Sequence, residues 1–173
     1  MFELIDEMHR HAAEQDIPVG KLFEYAVRQA YRSFLSPGDT AIDIGAHAGF
    51  HLFPLAETVG ARGQVIAFEP IPQKYDRLVK RIKRQKVGNI KLHPYAVSVK
   101  EGPANFCYFE KRPAYSGLQQ RDTPFEPAEG GLQDIEVECK ALDRFAPWFR
   151  KISFIKLDIE GGEYHALQSG EKL

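Results

Sequence analysis

The chain has 173 residues, of which 43% are hydrophobic and 27% are charged, and its formal net charge at pH 7 is -1. This length and composition suit one globular domain with a substantial core and leave too little chain for two. The near-neutral charge gives no general attraction to nucleic acid or to an anionic membrane, and no apolar stretch reaches the roughly 20 residues that cross a bilayer. Acidic residues near the N-terminus, where a signal peptide would be basic, predict a cytoplasmic location.

An amphipathic helix is predicted near the start of the chain. Apolar residues recur every three or four positions from Val19 to Phe34, and Pro37-Gly38 ends the pattern. We therefore divide the chain into an N-terminal helical segment, residues 1–35, and a main domain, residues 36–173.

The main domain opens with a short apolar strand, Ala41 to Ile44, that leads into the loop Gly45-Ala46-His47-Ala48-Gly49. The two glycines let the loop turn sharply and approach a ligand closely, because no Cβ is in the way. The loop lacks the further glycines of a dinucleotide fingerprint and the Gly-Lys-Ser/Thr of a phosphate loop, so NAD and ATP are disfavoured. What remains is a loop that binds S-adenosylmethionine, with Asp43 attracting the charged amino group of the ligand.

A second strand, Gln64 to Phe68, ends at Glu69-Pro70. Doubly wound sheets place an acid at this point, where it accepts hydrogen bonds from ribose hydroxyls. Helices are predicted near residues 52–58 and from Pro72, and another strand near residues 90–95. Strands that alternate with helices predict a mostly parallel sheet with right-handed crossovers. Pro54 predicts a late start or a kink in the first of these helices.

The middle of the chain contains two β-like segments, Phe106 to Phe109 and Ile135 to Cys139, on either side of a polar stretch from Lys111 to Gly131. That stretch is long enough to suggest function or mobility. Cys107 and Cys139 have no metal-ligand spacing and are predicted to be small buried residues on strands.

A third motif follows a predicted buried strand, Ile152 to Leu157. Asp158 and Glu160 come at its carboxyl end, where the two-residue period of a strand would point both to the same side. A carboxylate there can orient an acceptor hydroxyl and take its proton. The structural alternative is that Asp158 caps the next helix and Glu163 stabilises its first turn.

Together, Asp43 to Gly49, Val65 to Pro70 and Phe154 to Glu163 resemble the FkbM family of S-adenosylmethionine-dependent methyltransferases. The resemblance implies an α/β fold, a Rossmann-like class I methyltransferase sheet with helices on both faces, and O-methylation of a hydroxyl on a sugar, glycoconjugate or natural product. From their place at the end of the third motif, Asp158 and Glu160 are the predicted catalytic residues. The predicted cofactor-binding residues are Asp43, Gly45, Ala46, His47, Gly49, Glu69, Pro70 and Ala96.

The resemblance has two further implications. The family usually has asparagine in place of His47, so the polar contact at that position differs here. The segment Ser116-Gly117-Leu118 resembles a small-residue element that closes over cofactor or substrate.

A methyltransferase sheet normally continues past the helix that begins at Glu163, whereas this sequence stops at Leu173. We therefore expect the C-terminal part of the domain to be missing. The strand from Ile152 to Leu157 would then have an open edge through which copies of the chain could form a homo-oligomer.

Other functions stay open at this point. The basic helix after Pro72 could hold nucleic-acid phosphates, although a solvated outer face is the commoner use of such a helix. A truncated domain could also bind cofactor, or only a partner, without turnover. A metal site is not predicted, since His47 and His51 have no third ligand nearby and two carboxylates alone make a weak magnesium site. We favour a small-molecule or glycan hydroxyl as the acceptor over nucleic acid or membrane.

Overall fold

The computed structural model describes residues 19–119, 122–148 and 151–173. The chain divides into two compact units, with the boundary between Ser36 and Pro37. The described part of the first unit contains the helix α1, Val19–Phe34, which confirms the predicted helix. No helix in the described part of the chain has the length and apolar character that a membrane span requires.

The second unit contains two sheets. In chain order its strands and α-helices are β1 (Thr40–Ile44), α2 (Leu52–Val59), β2 (Gln64–Phe68), α3 (Pro72–Gln85), β3 (Ile90–His93), β4 (Tyr95–Val97), β5 (Gly102–Phe109), β6 (Leu132–Lys140), β7 (Ile152–Leu157) and α4 (Glu163–Gln168). Short 3-10 helices cover Pro113–Tyr115 and Leu142–Trp148.

The main sheet has four parallel strands in the order β3-β2-β1-β7. Every residue of β1 is buried, and so are four of the five in β2, as is typical of central strands covered on both faces. Ile42, Ile44, Ile66 and Phe68 of these strands form a core with Phe145. Burying each such side chain stabilises the fold by about 1.5–3 kcal/mol. The predicted α/β fold with a parallel sheet is confirmed.

The prediction that β7 is buried is wrong. All six of its residues are half-buried, and among the described strands it pairs only with β1, at the outer position of the sheet. The mostly apolar sequence of β7 indicates a strand that faces a core, but it does not distinguish a central strand from an outer one. Whether copies associate through this edge stays a prediction.

The small sheet, ordered β4-β6-β5, was not predicted as a separate layer. β4 runs parallel to β6, whereas β5 is antiparallel to it. The strand predicted near residues 90–95 divides at Pro94, so that β3 joins the main sheet and β4 joins the small one. Proline has no N–H to donate to a ladder, which favours a break there. Cys107 and Cys139 are buried on β5 and β6, as predicted.

Pro54 needs neither a late start nor a kink. It is the third residue of α2, within the first turn, where the missing N–H has no helical acceptor to satisfy. The helix therefore begins at Leu52 with the proline already inside it.

Candidate functional site

A cavity of about 470 Å³ lies at the carboxyl ends of β1, β2 and β7 and is walled on another side by the small sheet. Its volume falls in the range of roughly 300–1,000 Å³ that is common for small-molecule sites. The walls are mostly apolar, with contributions from Phe68, Ala96, Phe106 and Ile159, and they also carry the carboxylate residue Glu160.

Four of the predicted site residues line this cavity, namely Gly45, Pro70, Ala96 and Glu160. The other six are Asp43, Ala46, His47, Gly49, Glu69 and Asp158. These lie in the same strand ends and in the glycine loop, but they do not line the cavity wall. The structure therefore gathers the predicted residues at one end of the main sheet and divides them into a lining group and a supporting group.

The glycines of the loop are required by packing. Gly45 and Gly49 have φ angles of 85° and 80°, a region that residues with a Cβ rarely adopt. A Cβ on Gly45 would collide with the carbonyl oxygen of Asp158, and one on Gly49 would lie 2.6 Å from the ring of Phe53. These glycines thus let the loop approach the end of β7 and the helix α2, a reason separate from ligand approach.

Glu69 supports the glycine loop from the end of β2. The side chain is buried, and its two carboxylate oxygens accept the backbone N–H groups of His47, at 2.6 Å, and Ile71, at 3.0 Å. Burial raises the pKa of Glu69 above its usual value, while these two N–H groups act in the opposite direction. A carboxylate offers about four acceptor positions, so lone pairs remain for a ligand. Contact between Glu69 and a ribose stays a prediction.

The side chain of His47 faces outward and contacts the ammonium of Lys74 on α3. Burial lowers the pKa of Lys74, against the opposing effect of Glu69. Arg81 of the same helix donates to the carbonyl oxygen of Ala48 at 3.3 Å and stacks over Phe53. Two basic residues of α3, Lys74 and Arg81, therefore pack against the glycine loop and its neighbours. The exposed basic residues of the same helix are Arg77, Lys80, Lys83 and Arg84.

Lys156 is a site residue that sequence reasoning missed. Its Nζ lies 3.4 Å from Oδ1 of Asp43, 3.6 Å from Oδ2 of Asp158 and 3.4 Å from the carbonyl oxygen of Gly45, to which it donates. Burial raises the pKa of Asp43, and the positive charge of Lys156 opposes that rise. The carboxylate of Asp43 thus faces a cation of the protein, and its contact with the amino group of a ligand stays a prediction.

The prediction that Asp158 and Glu160 point to one side because of the strand period is wrong. β7 ends at Leu157, and Glu160 has a φ angle of 57°, in the left-handed region, before Gly161 at 102°. The alternation of a strand stops where the extended conformation stops. Glu160 consequently lines the cavity, whereas Asp158 has an exposed side chain beside Lys156.

Glu163 acts on the turn that precedes its own helix. Its carboxylate accepts the backbone N–H of Ile159 at 3.1 Å and that of Gly161 at 2.9 Å. Burial acts to raise the pKa of Glu163, but hydrogen bonds from backbone N–H groups outweigh it and lower the pKa. The sequence indicated only a favourable charge in the first turn of the helix.

The segment Ser116-Gly117-Leu118 lies along β5. Gly117 exchanges two backbone hydrogen bonds with Cys107, at 2.9 and 3.1 Å, and the hydroxyl of Ser116 accepts the N–H of Phe109. Leu118 lines the cavity, and a Cβ on Gly117 would lie 3.3 Å from the carbonyl oxygen of Glu160. The segment therefore borders the site, and closure over a ligand stays a prediction.

Comparison with known proteins gives matches to methyltransferases. The family model of the methyltransferase FkbM domain matches residues 43–173. A protein-L-isoaspartate O-methyltransferase of Ignicoccus hospitalis is 30% identical over 93 residues, which cover 50% of this chain and 44% of the relative. One from Methanococcus aeolicus is 36% identical over 58 residues, or 34% of this chain and 27% of the relative. The chain thus spans less than half the length of these curated relatives.

Among solved structures, the methyltransferase FkbM from Methylobacillus flagellatus KT superimposes with a TM-score of 0.53 at 17% identity, covering 84% of this chain and 36% of the other. This likeness confirms the fold. The family match confirms the predicted family and, with it, the predicted class of cofactor, S-adenosylmethionine.

Proposed function

The chain belongs to the family of FkbM methyltransferase domains, and from that premise we propose that it carries the cofactor site of an S-adenosylmethionine-dependent O-methyltransferase. The acceptor in this proposal is a hydroxyl of a sugar, a glycoconjugate or another natural product. The observation that carries the proposal is the cavity at the carboxyl ends of β1, β2 and β7, since open α/β sheets bind their ligands at this end.

The residues around the cavity fit the chemistry of the cofactor. Apolar walls near Phe68, Pro70 and Ala96 suit the flat adenine base, and the backbone at Gly45 lets the methionine end come close. Glu160 lines the same cavity, so that a carboxylate-bearing residue stands beside the proposed cofactor site. When bound, S-adenosylmethionine supplies an electrophilic methyl group.

In this proposal one set of residues binds the cofactor and another acts on the acceptor hydroxyl. Glu69 and the glycine loop hold the cofactor, with the buried carboxylate of Glu69 as the acceptor for ribose hydroxyls. The carboxylates of Asp158 and Glu160 are the candidates to orient the acceptor hydroxyl and to take its proton, an effect typically worth about 10²- to 10⁴-fold in rate. The position of Glu160 in the cavity wall favours it over Asp158.

The identity of the acceptor rests on the family resemblance alone. The cytoplasmic location is likewise proposed from the sequence.

Calorimetric titration of the purified chain with S-adenosylmethionine tests the cofactor site. We expect saturable binding that Ala96→Leu abolishes or weakens at least tenfold, because Ala96 is buried and lines the cavity. The matched control is Ala61→Leu, in the exposed turn before β2, which should bind like the unmodified chain. If both variants bind S-adenosylmethionine equally well, the cofactor does not bind in this cavity.

Transfer of labelled methyl groups to panels of sugars, glycoconjugates and phenolic or polyketide-type hydroxyl compounds tests the reaction. Glu160→Gln and Asp158→Asn should then separate the two candidates, with the proton-accepting residue losing at least about 100-fold in kcat while cofactor affinity persists. Cofactor binding without transfer to any panel member would favour a binding domain over an enzyme.

A further inference from the structure

We propose that Glu163 is a positioning residue whose carboxylate fixes the acidic turn, residues 158–162, so that Glu160 faces the cavity. Residues 159–162 of that turn line the cavity, and the use of this wall by a ligand rests on the proposed function above. The role assigned to Glu163 itself rests on the contacts of its carboxylate.

The carboxylate of Glu163 satisfies the N–H side of the acidic turn. One oxygen accepts from Ile159 and the other from Gly161, the residues on either side of Glu160. Because both neighbouring N–H groups point to the same carboxylate, the peptide planes around Glu160 have little freedom to rotate. Hydrogen bonds to an ionised acceptor are stronger than those between neutral groups.

This restraint matters because Glu160 has an unfavourable backbone conformation. Its φ angle of 57° lies in the left-handed region, which costs energy for any residue with a Cβ. Such a residue persists only when its surroundings determine the conformation. The two hydrogen bonds to Glu163 are that determinant on the N–H side.

The carbonyl side of the acidic turn is bordered by two glycines. A Cβ on Gly45 would collide with the carbonyl oxygen of Asp158, and one on Gly117 would lie 3.3 Å from the carbonyl oxygen of Glu160. Neither glycine donates a hydrogen bond to the turn in these contacts, so they leave room for it without holding it. The ends of the turn are held by other backbone contacts, from the N–H of Asp158 to Ile44 and from the N–H of Ala166 to Gly162. The N–H groups on either side of Glu160 are held by the carboxylate of Glu163.

The alternative is that Glu163 only contributes a negative charge to the first turn of α4, a favourable place for an acid. The two roles make different demands on side-chain length. An aspartate at position 163 would keep the charge at the first turn, but one methylene less would prevent its carboxylate from reaching both N–H groups.

Amide hydrogen exchange of the full chain, measured for Glu163→Asp and Glu163→Gln, distinguishes the two roles. We expect exchange at Ile159 and Gly161 to accelerate at least tenfold in both variants, as loss of a hydrogen bond to a charged group predicts. Exchange at Ile42 and Ile66, in the buried strands, should stay unchanged and so exclude global unfolding. Glu171→Gln, at an exposed position beyond α4, is the matched control and should alter neither set.

Titration with S-adenosylmethionine adds a second measurement on the same variants. We expect Glu163→Asp to lower the affinity at least threefold while Glu171→Gln leaves it unchanged. Wild-type exchange at Ile159 and Gly161 in Glu163→Asp would overturn the proposal in favour of the helix-charge role. If the unmodified chain does not bind S-adenosylmethionine at all, the proposed function fails, and the exchange result still decides the role of Glu163.

Discussion

Lys156 and Asp43 are direct partners in the parallel register of β7 and β1, and the ammonium of Lys156 lies 3.4 Å from a carboxylate oxygen of Asp43. Both side chains are almost fully shielded from solvent. The pair joins the strand that leads into the glycine loop to the strand that leads into the acidic turn. Because Nζ also contacts the carbonyl of Gly45, one cation holds the two halves of the site together.

Replacing Lys156 by methionine should destabilise the fold by about 3–5 kcal/mol, because it leaves the buried carboxylate of Asp43 without its compensating charge. The double variant Asp43→Asn with Lys156→Met removes both charges and should recover most of that loss. Urea denaturation of the single and double variants measures the difference. A single variant as stable as the unmodified chain would show that Asp43 is neutral or compensated by another group.

Replacing Gly45 by alanine should destabilise the fold more than the same change at Gly38. Both glycines have positive φ angles, 85° and 107°, so alanine is strained at each, typically by more than about 0.4–1 kcal/mol. Only at Gly45 does a Cβ also meet the carbonyl oxygen of Asp158, whereas at Gly38 it meets nothing within 4 Å. Thermal unfolding of the two variants isolates the effect of the collision, and equal losses would mean that the acidic turn can move away at no cost.

Replacing Glu69 by alanine should weaken binding of S-adenosylmethionine at least tenfold, as loss of a charge-assisted acceptor worth about 1.5–3 kcal/mol predicts. The structure adds a second expected loss, since the N–H groups of His47 and Ile71 would lose their acceptor. Calorimetric titration and thermal unfolding, measured together, separate the two effects. Unchanged affinity in a folded variant would contradict the assignment of Glu69 to the ribose.

Part of this site was predictable because its signals are local. The strand, the glycine loop and the acid at the end of the next strand each consist of contiguous residues, so Gly45 and Glu69 can be named as candidates from the sequence. Lys156 was missed because its partner Asp43 lies on a distant part of the chain, and only the register of β1 with β7 brings them together. The predicted orientation of Glu160 was wrong because side chains alternate between two faces only where the backbone is extended, and β7 ends at Leu157.

The small sheet was missed for a related physical reason. β4 has three residues, too few for a recognisable alternation, and it joins β6 across a long separation in sequence. The break at Pro94 could have been found, since proline interrupts a strand ladder. The pairing of β4 with β6 after that break could not be predicted, because pairing between distant strands depends on the whole fold.

Glu101 provides a prediction for acid pH. Two hydrogen bonds from the side chain of Arg144, followed by one from the N–H of Ala141, lower the pKa of Glu101 to about 2. A depressed folded-state pKa means that the stabilisation is complete above the unfolded value of 4.5 and is lost as the pH falls from there through about 2. The unmodified chain should therefore have a higher Tm than Glu101→Gln at pH 6, and this difference in Tm should decrease steadily below pH 4.5. The exposed variant Glu129→Gln controls for general charge effects, and a gap independent of pH would contradict the prediction.

A crystal structure of this chain with S-adenosylhomocysteine would show whether the cavity at the carboxyl ends of β1, β2 and β7 is the cofactor site. We expect the adenosine between Pro70 and Ala96, with its ribose within hydrogen-bond distance of Glu69 and its homocysteine part along Gly45. The acidic turn should keep Glu160 facing the ligand, with both N–H groups still bonded to Glu163. A ligand bound elsewhere, or no ligand at saturating concentration, would contradict the assignment of the cavity as the cofactor site.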